Sequence, residues 1–102
     1  MPIPESFAHH FVDCDAERLD PHKHAFVVLG SLMSRTEEFI RMWLHQTYEP
    51  EVLLAWLNDN GVRHLGPIEL DYWCRNLGVA ELTRAKWIAA AHLRMGIARQ
   101  VR

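Results

Sequence analysis

His9, His10, Asp13, Cys14, Asp20, His22 and His24, side chains of the types that hold a transition metal, crowd sixteen residues. Imidazole, thiolate and carboxylate are together the donor set of zinc and similar ions. Their spacing follows no familiar zinc pattern. The chain has no CxxC or HExxH, and its second cysteine, Cys74, lies sixty positions from Cys14. His22 and His24 are two apart and cannot share a helical face. The reading is therefore of no metal and no cofactor, with His24 buttressing the start of the first helix and His9 and His10 as exposed residues of an N-terminal arm.

Catalytic groups are equally unaccompanied. Glu37 with Glu38, or Glu69 with Asp71, could serve as an acid–base pair. Their spacing suits helix surfaces as well, and no phosphate-binding loop or glycine-rich segment lies near them. Ser31 or Ser34 with His45 lacks a nucleophile elbow, and Cys14 with a histidine lacks any local signature. No enzymatic activity is expected. Two kinds of binding are left. Arg84, Lys86 and Arg94 could lie on a DNA-recognition helix, with Gly78-Val79-Ala80 as a tight turn before it. Asn58 to Pro67 is too long a linker for such a motif, and an acidic remainder repels phosphate. Protein binding demands least, because Met33, Met42, Tyr48, Tyr72, Met95 and Ile97 are left over from the helical core stripes. Methionine, aromatic and arginine residues are enriched at interface centres.

The elements that must position these residues are helices. Residues 1–19 read as irregular or briefly helical, with Phe7 and Phe11 available to pin them down. Asp20-Pro21 is a helix start, and Ala25, Val28, Leu29 and Leu32 recur at helical spacing, giving a helix over 21–33. Thr36 is a cap candidate for a second helix over 36–47, with Phe39, Ile40, Trp43 and Leu44 as its apolar stripe. Pro50 starts a third, over 50–59, which the cluster Asn58-Asp59-Asn60-Gly61 ends. Gly66-Pro67 opens a fourth over 67–77, carrying Leu70, Trp73 and Leu77, with Gly78 at its end. A fifth runs over 81–96 with Leu82, Ala85, Ile88, Ala89 and Leu93. No run alternates as a strand would. The fold class is all-α, a bundle of five short helices in one domain, with Trp43, Trp56, Trp73 and Trp87 supplying its core.

With 102 residues, 49% hydrophobic and 24% charged, the chain has the content of one globular domain. The net charge of -2 conceals an asymmetry: residues 1–81 sum to -7, and 82–102, with Arg84, Lys86, Arg94, Arg99, Arg102 and no acid, to +5. Solvated arginines complementing a last helix's dipole explain that plainly. No apolar run approaches the roughly 20 residues of a membrane span. The opening residues lack a signal-peptide pattern, and two cysteines make no disulfide framework. A reducing cytoplasm is the expected compartment.

One series of motifs has a counterpart elsewhere. Residues Phe11 to His24, containing Leu19-Asp20-Pro21-His22, are followed by Trp43-Leu44 with Tyr48. Leu65-Gly66-Pro67, Tyr72-Trp73 and Leu77-Gly78 come after them. Over about 11–79 this resembles a family of small bacterial all-helical proteins associated with nucleotidyltransferase-like toxin–antitoxin modules. Met33-Ser34-Arg35-Thr36 departs from the family's glycine turn. The resemblance implies an all-helical fold and an antitoxin-like or accessory role, and it carries over no site residues. The overall expectation is a non-enzymatic module that binds a protein, its own copy or another, through Met42, Arg94, Met95, Ile97 and Arg99. Charge reversal at Arg94 and Arg99 is expected to abolish partner retention and leave helicity and thermal melting nearly unchanged. A DNA-binding regulator using Arg84, Lys86 and Arg94 is the alternative.

Overall fold

The structure, a computed structural model, describes residues 3–11 and 15–100, with backbone alone for 97–100. Asp13, Cys14 and Arg102 lie outside the described residues, as do the side chains of Ile97 and Arg99. All regular structure among the described residues is helical, with no strand. Two 3-10 turns, Glu5–His10 and Ala16–Arg18, precede α1 (Ala25–Leu32), α2 (Glu38–Thr47), α3 (Pro50–His64), α4 (Pro67–Asn76) and α5 (Glu81–Gln100). The chain divides into two compact units, Met1–Val52 and Leu53–Arg102.

In the first unit the start signal at Asp20-Pro21 operates one turn ahead of the regular helix. Asp20 Oδ1 accepts the N–H groups of His22 and Lys23 at 2.9 and 3.0 Å. These bonds hold its carboxyl below the usual aspartate range. His24 Nδ1 accepts the Asp20 N–H at 2.9 Å, so His24 does buttress the entry to α1, which begins at Ala25 rather than Pro21. Thr36 does not cap α2. Glu37 occupies the cap position without a side-chain cap bond, because its carboxylate is held by the Arg35 fork at 3.1–3.2 Å. Phe7 and Phe11 are buried, and Phe7 meets Trp43 edge-on at 5.5 Å. Tyr48 is buried as well, and its hydroxyl donates to the Pro21 carbonyl at 2.6 Å. That bond fixes the end of α2 against the entry to α1. Met33 is fully buried.

In the second unit α3 does not stop at Asn58–Gly61 but continues to His64. The turn-forming residues serve packing instead. Asn60 is buried and its amide donates to the Trp56 carbonyl at 3.3 Å. Gly61 lets α4 come close, since a Cβ there would stand 3.2 Å from Leu70 Cδ2 and 2.9 Å from Leu57 Cδ1. The connection to α4 thereby shrinks to Leu65-Gly66. Pro67 then sits at N1, where a missing N–H costs nothing, and Glu69 Oε1 accepts the Gly66 N–H at 3.1 Å.

α5 packs on α4, and its inward face differs from the expected stripe. Ala91 is fully buried, Trp87 and Ile88 are half-buried, and Leu82 and Leu93 are 70% and 64% exposed. An alanine-rich helix with apolar residues all round gives no preferred face by pattern alone. The polar contacts choose it: Arg84 turns inward to Asp71 at 3.5 Å, and Arg94 reaches the end of α3. Trp87 therefore contributes less to the interior than Trp43, Trp56 and Trp73.

Two glycines should respond oppositely to alanine. Gly78 has φ +72°, and a Cβ there would meet no neighbour, so Gly78→Ala costs backbone strain alone, about 1 kcal/mol. Gly30, inside α1, also faces open space without that conformation, and Gly30→Ala should gain about 0.5–1 kcal/mol. Urea midpoints of the two variants should move in opposite directions.

Candidate protein-interaction surface

Of the exposed large apolar side chains, two in each unit line a concave surface. In the first, Phe39 and Met42 are 56% and 52% exposed and line an open hollow of about 330 Å³ with Pro4, Phe7, Trp43 and Gln46. Phe39 was assigned to the inward stripe of its helix by sequence. On a helix turning about 100° per residue it lies at the edge of the arc of the buried set, roughly 40° from Trp43, 100° from Ile40 and 140° from Leu44. In the second unit, Ile68 is 77% exposed and Met95 45% exposed. With Pro67, His92 and Gly96 they line a cleft of about 300 Å³ between the start of α4 and the C-terminal half of α5.

This second cleft is built on fixed parts. Pro67 and the Glu69-to-Gly66 bond set the first turn of α4, which carries Ile68. A Cβ on Gly66 would stand 3.8 Å from Met95 Sδ, so α5 is in close contact with the α3–α4 connection. One residue before Met95, Arg94 donates from Nε to the Val62 carbonyl at 3.1 Å and from Nη2 to the Leu65 carbonyl at 2.9 Å. These are carbonyls that a helix end leaves without intrahelical partners. Arg94 is thus a clamp between α5 and α3, and its reversal is expected to lower the melting midpoint rather than leave it nearly unchanged. Of the expected binding residues, Met95 lines this cleft and Met42 the hollow of the first unit. Ile97 and Arg99 follow on the last turns of α5, their side chains outside the described residues.

Sequence reasoning passed over Ile68, although the signal was present. Leu70 and Trp73 are fully buried, and Ile68 falls on the opposite side of α4. One exposed apolar side chain is ordinary; it is the placing of Ile68 beside Met95 around a cleft that makes it informative.

The cations of the DNA-binding alternative are differently occupied. Arg84 has a side chain only 17% exposed and pairs with Asp71 at 3.5 Å and Glu81 at 3.9 Å. Arg94 is committed to α3. Lys86 is exposed. The two-residue connection Leu65-Gly66 removes the objection from a long linker, but it leaves one of the three cations fully available to a phosphate backbone.

The acid–base candidates also have structural occupations. Asp71 takes Arg75 Nε at 2.9–3.0 Å and Arg84, Glu69 takes the Gly66 N–H, and Glu37 takes Arg35. Among the described residues no three His, Cys, Asp or Glu side chains converge to hold an ion. The expectation that His10 is exposed does not hold: its side chain is 7% exposed, with Nε2 3.8 Å from Glu37 Oε2. Among the described residues no helix is long and apolar enough to cross a membrane. No protein-family model, curated protein or solved structure matches the chain.

Proposed function

We propose that the protein acts by binding another protein, and that the cleft between α4 and α5 is where the partner docks. The observation that carries this reading is the pairing of Ile68 and Met95, two large apolar side chains held in solvent around one cleft. Such a cleft suits the apolar face of a partner helix, the mode in which side chains at helical spacing enter a groove. Arg63 and His64, both exposed at the end of α3, adjoin the Arg94 clamp and give that end a basic character. Through the resemblance of residues 11–79, the activity is that of an antitoxin-like or inhibitory component in a bacterial cytoplasm, with no chemistry of its own. A second copy of the chain is the other candidate occupant.

Ile68→Glu and Met95→Glu test this directly. Both side chains are exposed, so each variant should melt within about 0.5 kcal/mol of the parent. Retention of the partner on the immobilised chain at moderate salt should fall tenfold or more. Undiminished retention by both variants would move the interface elsewhere. DNA binding, the second reading, predicts instead a complex that weakens steeply as salt rises and depends on Lys86.

A further inference from the structure

We propose that His10 is an acid-sensitive latch. Neutral, it lets the first 3-10 turn lie against α2; protonated, it releases that turn and uncovers Trp43. The argument rests on what surrounds the imidazole. His10 closes the turn Glu5–His10, and its side chain is 93% removed from solvent. Its Nε2 is buried and has no hydrogen-bond partner among the described residues. The nearest carboxylate oxygen, Glu37 Oε2, is 3.8 Å away and already receives Arg35 Nη2 at 3.1 Å. The His9 ring is tilted 43° to the His10 ring, with centroids 3.9 Å apart.

A proton on His10 would therefore be buried, would face a carboxylate already neutralised, and would be repelled by Arg35 and by His9. Burial is the largest of these effects, and together they hold the imidazole below its ordinary value. For a histidine depressed on folding, the unfolded segment takes up its proton first, below about pH 6.5. The contribution of the neutral ring is present above that value and is lost as pH falls through the folded one.

The consequence travels along a single turn. Phe7, three residues before His10, stands edge-on to Trp43 at 5.5 Å and 5.7 Å from Phe39. A turn that lets go at His10 takes Phe7 with it and converts the open hollow beside Met42 into a wider apolar face. Acid would thus change what the first unit presents to a partner.

The test is fluorine NMR of the full chain labelled with 5-fluorotryptophan, with Trp43 assigned by Trp43→Phe. The Trp43 resonance should move between pH 7 and 5 with a midpoint below 6.5. His10→Gln should hold it at its neutral-pH position throughout, and His10→Leu carries the same expectation should the glutamine variant fail to fold. Glu37→Gln should keep the transition and move its midpoint down, because the one group that favours the charged ring is removed. His9→Gln should move it up. His22→Gln and His45→Gln should leave it in place. Persistence of the transition in both His10 variants, its loss in the Glu37, His22 or His45 variant, or a resonance that does not move in the parent protein would each overturn the proposal.

Discussion

Trp73→Ala is expected to cost about 3–5 kcal/mol of unfolding free energy, the range for truncating a fully buried aromatic side chain. Trp73 is completely buried on α4, with the Tyr72 ring edge-on at 5.0 Å. Leu70 and Cys74, its buried neighbours on the same helix, have no length to spare for filling the space an indole leaves. A domain of ordinary stability holds about 5–15 kcal/mol in all, so the variant should be partly unfolded at 37 °C. Trp87→Ala, at a half-buried position on α5, should cost well under half as much. Urea denaturation of the pair gives the comparison. Equal losses would mean that α5 carries as much of the interior of the second unit as α4 does.

Arg94→Glu is expected to cost about 2–3 kcal/mol, and Arg94→Ala about 1–2 kcal/mol, somewhat less than buried charged hydrogen bonds because the Nε bond is exposed. Alanine abandons the Val62 and Leu65 carbonyls to water. Glutamate adds a carboxylate at the negative end of the α3 dipole. Arg94→Lys should recover only part of the loss, since an ammonium keeps the charge but not the planar fork that reaches two carbonyls. The loss should show as earlier hydrogen exchange at the end of α3 as well as in the melting midpoint. Unchanged melting of Arg94→Glu would mean that the clamp contributes nothing in solution.

These two residues also mark how far the sequence could be read. Trp73 was legible because Leu70, Trp73 and Leu77 repeat at helical spacing between a Gly-Pro start and a Gly78 stop. Arg94 was not. Its occupation depends on α3 running on to His64, and Asn58-Asp59-Asn60-Gly61 carries every local mark of a turn. Tertiary packing overrides that propensity, because Gly61 is where Leu70 comes close and Asn60 bonds within its own helix. Once α3 is lengthened, its last carbonyls arrive beside α5, and an arginine that looked free for a partner becomes a clamp.

The surface was half legible by the same logic. Met42 and Met95 stood out as apolar residues without a place in a stripe, whereas Phe39 was absorbed into one by adjacency to Ile40. Met33 and Tyr48, left over in the same way, are buried. Ile68 could have been found by asking which large apolar residue opposes the Leu70–Trp73 face. His10 lay beyond reach of pattern: a histidine at the end of a polar-looking arm gives no sign that Arg35 and Glu37 from the α1–α2 connection will close over it.

The central claim, a protein partner in the α4–α5 cleft, is tested most directly by site-specific photo-crosslinking in the native cell. A photoreactive amino acid replaces Ile68 in one strain and Glu51, exposed on α3 in the first unit, in another. The account predicts one dominant protein adduct from position 68, lost when Met95→Glu is added, and no adduct of that mass from position 51. The same adduct from both positions, or from 51 alone, would contradict it.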